Sequence, residues 1–118
     1  MRELFEQILN IEDVQRVMLF TFEGGLTCQE QPASLRGAAE VSQVWQGFVR
    51  SLEGIREADL IFEKGRMYIR RTDLGYLIIV MGIFAPAAMV RMNCDMLLPS
   101  LKQTGRGKGL KQFFRKRA

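Results

Sequence analysis

Hydrophobic positions recur along the chain with two different periods, and the changes of period divide most of it into elements. Apolar residues return every three or four positions, as in an amphipathic helix, in residues 2–11, in residues 41–54 and again after Pro86. β-Branched and aromatic runs bounded by Gly or Asp predict five strands between these helices, at residues 14–22, 26–29, 58–64, 66–72 and 76–85. The predicted order is α-β-β-α-β-β-β-α. We expect the last helix to kink or end near Pro99.

The faces of the predicted strands indicate their places in a sheet. Residues 14–22 and 76–85 are apolar at odd and even positions alike, which is typical of strands covered on both faces. Residues 58–64 and 66–72 mix charged and apolar positions and belong toward one margin. The sequence therefore predicts an α/β fold in which helices enclose a five-stranded, mainly antiparallel sheet of order 2-1-5-4-3. The architecture is three-layered and profilin-like.

This order places an apolar strand at the edge of the sheet. The third strand contains Leu60, Ile61 and Phe62, and an exposed apolar edge offers unpaired backbone groups to another chain. Pairing of two such edges across a two-fold axis would satisfy them. The alternative is that a loop of the same chain covers the edge. We expect pairing.

Three segments stand out beside the element order: VMLFTFEGGLTCQ, ADLIFEKGRMYIRR and GYLIIVMGIFAPAAMVRMNCDMLLPSL. In this order and in these segments, the chain resembles the roadblock or dynein light-chain domain family over nearly all of residues 1–104. The resemblance implies a homodimer or heterodimer that joins sheets at the third strand and packs the second helices together. The residues expected in that interface are Val41, Trp45, Phe48, Leu60, Ile61 and Phe62.

The resemblance also implies a function. Members of this family are scaffolds and regulators, commonly of small Ras-like GTPases, and adaptor subunits of motor complexes. No catalytic residue comes with the family. The leading expectation is therefore a cytoplasmic dimer that modulates a small Ras-like GTPase or serves a motor or signalling complex, and that is not an enzyme.

The charge of the chain is concentrated at its C-terminus. The net charge is +4, but six of the 17 basic residues lie in residues 105–118, where there is no acidic residue. The remaining 11 basic residues face 13 acidic ones, so residues 1–104 carry a net charge of −2. We therefore expect a domain at 1–104 followed by a basic, flexible tail at 105–118, and a nucleic-acid-binding role for the domain itself is not indicated.

The tail has an apolar side as well as basic residues, and it begins with the glycines of GRGKG. Such a segment fits an acidic groove on a partner, an anionic membrane or the phosphates of a nucleic acid, or is simply solvated. We favour the partner groove because two adjacent phenylalanines are costly to leave in water. A dimer that binds nucleic acid or membrane through its tails is the alternative function. The expected partner-binding residues are Leu110, Lys111, Phe113, Phe114, Arg115 and Lys116.

The sequence lacks the residue arrangements that common catalytic, zinc-binding and phosphate-binding sites require. The chain has no histidine, so neither a Ser-His-Asp nor a Cys-His arrangement can be built. Cys28 and Cys94 lie far apart in sequence and have no histidine to complete a set of metal ligands, so we expect no structural zinc site. Cys94 fits an apolar helical stripe as a small hydrophobic residue. GRGKG lacks the spacing of a phosphate-binding loop. We expect no cofactor and no metal.

Two further segments bear on location and contacts. The uncharged stretch of residues 74–90 is short for a membrane span and is broken by Gly82 and Pro86, so we interpret it as a buried strand and a helix start. The N-terminus lacks the pattern of a secretion signal, which favours the cytosol. Met89, Met92 and Met96 form a second row on the last helix, suited equally to core packing and to docking.

Overall fold

The computed structural model describes residues 2–32 and 43–106. Their elements follow the predicted order, with boundaries shifted by a few residues. They are α1 (Arg2–Leu9), β1 (Val14–Phe20), β2 (Leu26–Glu30), α2 (Gln43–Arg50), β3 (Glu57–Phe62), β4 (Gly65–Thr72), β5 (Gly75–Met81) and α3 (Ala87–Arg106).

The five strands form one sheet in the order β2-β1-β5-β4-β3, which confirms the predicted order. Every neighbouring pair is antiparallel. β1 and β5 are central and almost fully buried, as their two-sided apolar pattern predicts. β3 lies at one edge of the sheet and β2 at the other.

One face of the sheet packs against α1 and α3. Its core joins side chains from both helices to alternate residues of the central strands, and each is 7% exposed or less. The core on this face includes Phe5, Ile8, Val17, Leu19, Leu77, Ile79, Val90, Cys94, Leu97 and Leu101. We call it the closed face, because two helices cover its apolar residues.

The other face packs against α2. Val49 and Leu52, in and just after this helix, are buried over Met18, Phe20, Ile69, Tyr76 and Ile78 of the strands. Around this smaller core, the apolar side chains of β3 and β4 remain partly exposed. We call it the open face.

The sequence predicts that the last helix kinks or ends near Pro99. An end at this position is wrong, since α3 continues through Pro99 to Arg106. A proline in a helix interior costs about 3 kcal/mol. Leu97 and Leu101, on either side of it, are 7% and 1% exposed. Because burial of a leucine side chain contributes about 1.5–3 kcal/mol, packing of these two offsets the cost of the proline.

The end of α1 and the start of α3 are joined by a tight contact. Asp13 has a left-handed backbone (φ 65°), its carbonyl accepts the N–H of Gly82 at 2.9 Å, and its carboxylate accepts the N–H of Phe84 at 2.9 Å. A Cβ at Gly82 would lie 2.1 Å from a carboxylate oxygen of Asp13, so a side chain there would displace the carboxylate from its hydrogen bond to Phe84. α1 and α3 consequently run in opposite directions.

In the described part of the chain, no helix has the length and apolar character needed to cross a membrane. The uncharged stretch at 74–90 forms β5 and the start of α3, as the sequence predicts.

Candidate functional site

The open face carries an apolar surface at the β3 side of the sheet. Val44, 79% exposed, and Phe62, 54% exposed, are its most accessible residues. The other members, Trp45, Phe48, Leu60 and Met67, are half-buried. We call these six residues the α2–β3 surface.

The position of α2 explains why the described part of the chain leaves this surface uncovered. α2 is held against the β1–β2 turn, where the Arg50 Nε donates to the Glu23 carbonyl at 3.0 Å. Gly24, with φ +97°, lies so close to Gln46 that a Cβ would be 2.7 Å from its carbonyl oxygen. Gln46 and Arg50 therefore face the turn. Residues on the opposite side of the helix face β3 and β4, because successive residues are rotated by 100°.

Aromatic contacts fix the side chains of α2. The Trp45 ring stacks on Phe20 of β1, with 5.9 Å between centroids and 18° between planes. Phe48 meets Trp45 edge to face at 5.9 Å. Such geometries are those that aromatic pairs prefer. Trp45 and Phe48 thus form a fixed part of the surface, next to the exposed Val44.

The backbone of β3 completes the site. The carbonyl oxygen of Arg56 accepts a hydrogen bond from the Arg71 N–H at 2.8 Å, so the backbone groups of Arg56 point toward β4. Backbone direction alternates along an antiparallel pair. The groups of Glu57, Asp59 and Ile61 therefore point to the free edge, where another strand can add.

Two of the three β3 side chains on the side that faces α3 are charged, Glu57 and Asp59, and the third is the exposed Ile61. The hydroxyl of Tyr68 donates to the Glu57 carboxylate and accepts from the Arg70 guanidinium at 3.0 Å. Arg70 also pairs with Asp95 of α3 at 2.6 Å, and Glu57 pairs with Arg91 at 3.0 Å. Burial and the hydrogen bond to Glu57 raise the pKa of the Tyr68 hydroxyl above its ordinary value. This network ties the edge strand to α3 and satisfies its charges internally.

The expected interface residues are only partly brought together. Trp45, Phe48, Leu60 and Phe62 share the open face, whereas Ile61 points to the opposite face and is 72% exposed. Val41 lies outside the described residues. So do the expected tail residues, Leu110, Lys111, Phe113, Phe114, Arg115 and Lys116.

Sequence reasoning missed two members of the α2–β3 surface, Val44 and Met67. Met67 lies directly opposite Leu60 in the β3–β4 pair, so the hairpin register with its two-residue Glu63-Lys64 turn was the signal that could have identified it. Val44 lies one helical turn before Phe48 and is found by extending the same helical face.

Both cysteines are buried in the core of the closed face. Cys94 is completely inaccessible, and burial raises the pKa of its thiol to about 12. The predicted packing role of Cys94 is therefore confirmed. Among residues 2–32 and 43–106, no group of three or more Cys, Asp or Glu side chains is arranged to hold a metal ion.

Comparison with known proteins identifies the fold. No family model matches the sequence, and no curated protein matches it. Solved structures do match. A Roadblock/LC7 domain from Streptomyces avermitilis is 11% identical, with a TM-score of 0.65 over 87% of this chain and 95% of that one.

Two further structures agree. MglB, described in a tetrameric arrangement, is 15% identical, with a TM-score of 0.66 over 86% of this chain and 84% of that chain. MglC from Myxococcus xanthus is also 15% identical, with a TM-score of 0.62 over 86% and 96%. The predicted roadblock fold is thereby confirmed.

Proposed function

We propose that this chain, which has the roadblock fold, is a non-enzymatic dimeric scaffold or regulator that partners a small Ras-like GTPase. The observation that carries the proposal is the α2–β3 surface beside a free strand edge. The GTPase is the partner class that the resemblance to the roadblock family implies. Neighbours named MglB and MglC share the fold, and one is described as a tetramer, which supports a role in protein assembly.

The exposed apolar residues support a second copy as the first partner. Val44, Phe62 and the half-buried Trp45 and Phe48 lie together on one side of the molecule. Large apolar patches of this kind mark interaction sites in soluble proteins. Each apolar side chain that becomes fully buried contributes about 1.5–3 kcal/mol. A second copy that adds its own β3 would pair the free backbone groups and bury this patch together.

The charges on β3 favour one register for that pairing. In a symmetric antiparallel pair centred on Asp59, the two Asp59 carboxylates would be opposite each other, and like charges in that position are destabilising. Centring on Ile61 would place Asp59 opposite Glu63. Centring on Leu60 places Leu60 opposite its copy, Ala58 opposite Phe62, and Asp59 opposite Ile61. This register also places Glu57 opposite Glu63, but the Glu57 carboxylate is already paired with Arg70 and Arg91 of its own chain. Asp59, by contrast, gains an uncharged neighbour, and we propose this register for the dimer.

Sedimentation velocity at micromolar concentration tests the dimer. The unaltered chain is expected to sediment as a dimer and Leu60→Arg as a monomer, because the substitution places two arginines opposite each other. Leu26→Arg is a matched control, since Leu26 is 41% exposed but lies in β2, at the other edge of the sheet. A monomeric unaltered chain would remove the proposal of self-pairing.

A cysteine at the centre of the pairing tests the register. The backbone groups of Leu60 point toward β4, so two Leu60 residues would form a non-hydrogen-bonded pair, with about 4.5 Å between Cα atoms. That distance allows a disulfide. Leu60→Cys is therefore expected to form a covalent dimer on mild oxidation, and Ile61→Cys to form it much more slowly. Faster cross-linking of Ile61→Cys would contradict the register.

The partner class needs its own experiment. The immobilised chain is used to capture proteins from a lysate of the source cells, and any captured GTP-binding protein is purified. Its GTP hydrolysis and nucleotide release are then measured with and without the chain. We expect a change in one of the two rates that Leu60→Arg abolishes. Capture of no GTP-binding protein, or unchanged rates, would contradict the GTPase proposal and leave the dimer standing.

A further inference from the structure

A second apolar site lies on the far side of the molecule, between α1 and α3. It is a groove of about 250 Å³ lined by Glu3, Leu4, Gln7, Ile8, Asn93, Met96, Leu97 and Ser100. Its floor is apolar, since Ile8 is 1% and Leu97 7% exposed. Met96, on its wall, is 63% exposed.

Met96 belongs to a row of three methionines along α3. Met89, Met92 and Met96 follow one another at intervals of three and four residues and are 46%, 55% and 63% exposed. They therefore lie along one side of the helix. Methionine side chains adapt readily to a docked partner. Of the two roles left open by the sequence, core packing among the described residues is excluded because all three are exposed, and docking stays a prediction.

The C-terminal segment of the same chain starts near this groove. Asp13, just after α1, contacts Gly82 and Phe84, just before α3, so the first residues of α1 lie toward the later half of α3. α3 ends at Arg106, six positions after Ser100, which is about 9 Å at the helical rise. From Arg106, Leu110 can reach about 14 Å and Phe113 about 24 Å. Gly107 and Gly109 permit the chain to reverse.

The segment and the groove also match in character. Leu110, Phe113 and Phe114 follow the spacing of one helical face and are surrounded by basic residues. Among the described side chains that line the groove, the one that is charged is acidic, Glu3. A cavity of about 150 Å³ is large enough to bind benzene, so the groove has room for one phenyl ring and part of a second side chain.

We propose that residues 110–114 bind in the α1–α3 groove of their own chain and cover Met96. The sequence favours an acidic groove on a partner as the binding site of this basic segment. The α1–α3 groove, which is apolar and has the acidic Glu3 on its wall, offers such a site within the same chain. This inference does not depend on the proposed dimer, because α2 and β3 lie elsewhere.

Methionine oxidation tests the proposal in the full chain. Each methionine is followed by mass spectrometry during treatment with dilute hydrogen peroxide, and Met89, which is 46% exposed but does not line the groove, is the internal reference. If the segment occupies the groove about nine-tenths of the time, oxidation of Met96 is about tenfold slower than in the free state. The variant with Leu110→Ser, Phe113→Ser and Phe114→Ser should lose this protection, and Gln112→Ser should keep it.

Equal oxidation of Met96 in the unaltered chain and the triple variant would overturn the proposal. Protection that arises only after anionic phospholipid vesicles or another protein are added would overturn it as well, because the occupant would then be outside the chain.

Cysteine pairs test whether the contact is within one chain. Phe113→Cys with Met96→Cys should form a disulfide that leaves a single-chain band on a non-reducing gel, also in the Leu60→Arg background. Phe113→Cys with Val44→Cys is the control, since Val44 lies on the opposite face of the sheet. The two native cysteines are buried. A disulfide between chains, or equal rates for the two pairs, would contradict binding within the chain.

Discussion

The two faces of the sheet differ in how completely they are covered. On the closed face, α1 and α3 bury a core in which Phe5, Val17, Leu77 and Cys94 are all inaccessible. On the open face, the described part of α2 has eight residues, a length of about 12 Å. Five strands spaced about 4.8 Å apart are about 19 Å wide. These eight residues do not span that width, and β3 is the strand that residues 2–32 and 43–106 leave uncovered on this face.

The difference separates two roles. The closed face supplies most of the burial that a single chain can obtain, so it determines the stability of the fold. The open face keeps apolar residues partly in water at a cost in free energy, which a partner would recover. Substitutions on the two faces should therefore separate stability from association.

The largest effect is expected for a truncation on the closed face. Leu77→Ala removes a side chain that is 0% exposed and should lower the free energy of unfolding by about 2–5 kcal/mol. Urea denaturation at low protein concentration measures it. Leu60→Ala, on the open face, should cost about 1 kcal/mol or less under the same conditions. Equal losses would show that the two faces are not distinct.

Thiol reactivity sharpens the comparison. Burial raises the pKa of the Cys94 thiol from 9.0 to about 12, so at pH 8 its thiolate fraction is about 10³-fold lower than in the unfolded chain. We expect Cys94 to react with a thiol reagent about 10³-fold more slowly in the native protein, or more slowly still because access is blocked. Ile61→Cys, at the exposed edge, should react at an ordinary rate.

The same shift gives a pH dependence with a defined sign. The pKa of the Cys94 thiol is higher in the folded chain than in the unfolded chain. The contribution of Cys94 to stability is therefore complete below pH 9 and is lost as the pH rises toward 12. Urea midpoints measured at pH 8 and pH 10 should fall with pH, and Cys94→Ala should reduce the fall. A midpoint that rises with pH would contradict this assignment.

The polar network of β3 should have an intermediate effect. Tyr68→Phe removes a hydroxyl that bonds to Glu57 and Arg70, and we expect a loss of about 1–2 kcal/mol in the free energy of unfolding. Tyr76→Phe is the matched change on the open face, where the hydroxyl donates to the Leu52 carbonyl at 2.8 Å. Its cost should be nearer 1 kcal/mol, because both groups are neutral. A larger loss for Tyr76→Phe would reverse the expected order.

The smallest effect is expected at the edge itself. Asp59 pairs with Arg66 at 2.6 Å, but the Asp59 side chain is 39% exposed, so Asp59→Asn should change the free energy of unfolding by less than about 1 kcal/mol. In the proposed register, Asp59 faces Ile61 of the second copy. Sedimentation equilibrium should therefore show equal or tighter dimers for this variant, and a clearly weaker dimer would argue for a different register.

Much of the fold was predictable from local pattern. The two-sided apolar runs identified β1 and β5 as central, and the mixed pattern of β3 and β4 placed them at a margin. The extent of α3 was not predictable, because Pro99 is a local helix-breaking signal and the burial of Leu97 and Leu101 that outweighs it is a tertiary effect. The site was half predictable: hydrophobicity pointed to residues 60–62, but not to the face each occupies.

The sequence by itself determined the element order, the strand order and the apolar character of the β3 edge, because hydrophobic periodicity and turn residues act over short distances. Only the tertiary structure decided which side of that edge is open. The β1–β2 turn holds α2 away from β3, and the network around Tyr68 fills the other side with paired charges. Those contacts join residues distant in sequence, so no local pattern contains them. The pairing expected of Leu60 and Phe62 thus depends on where α2 rests on the sheet.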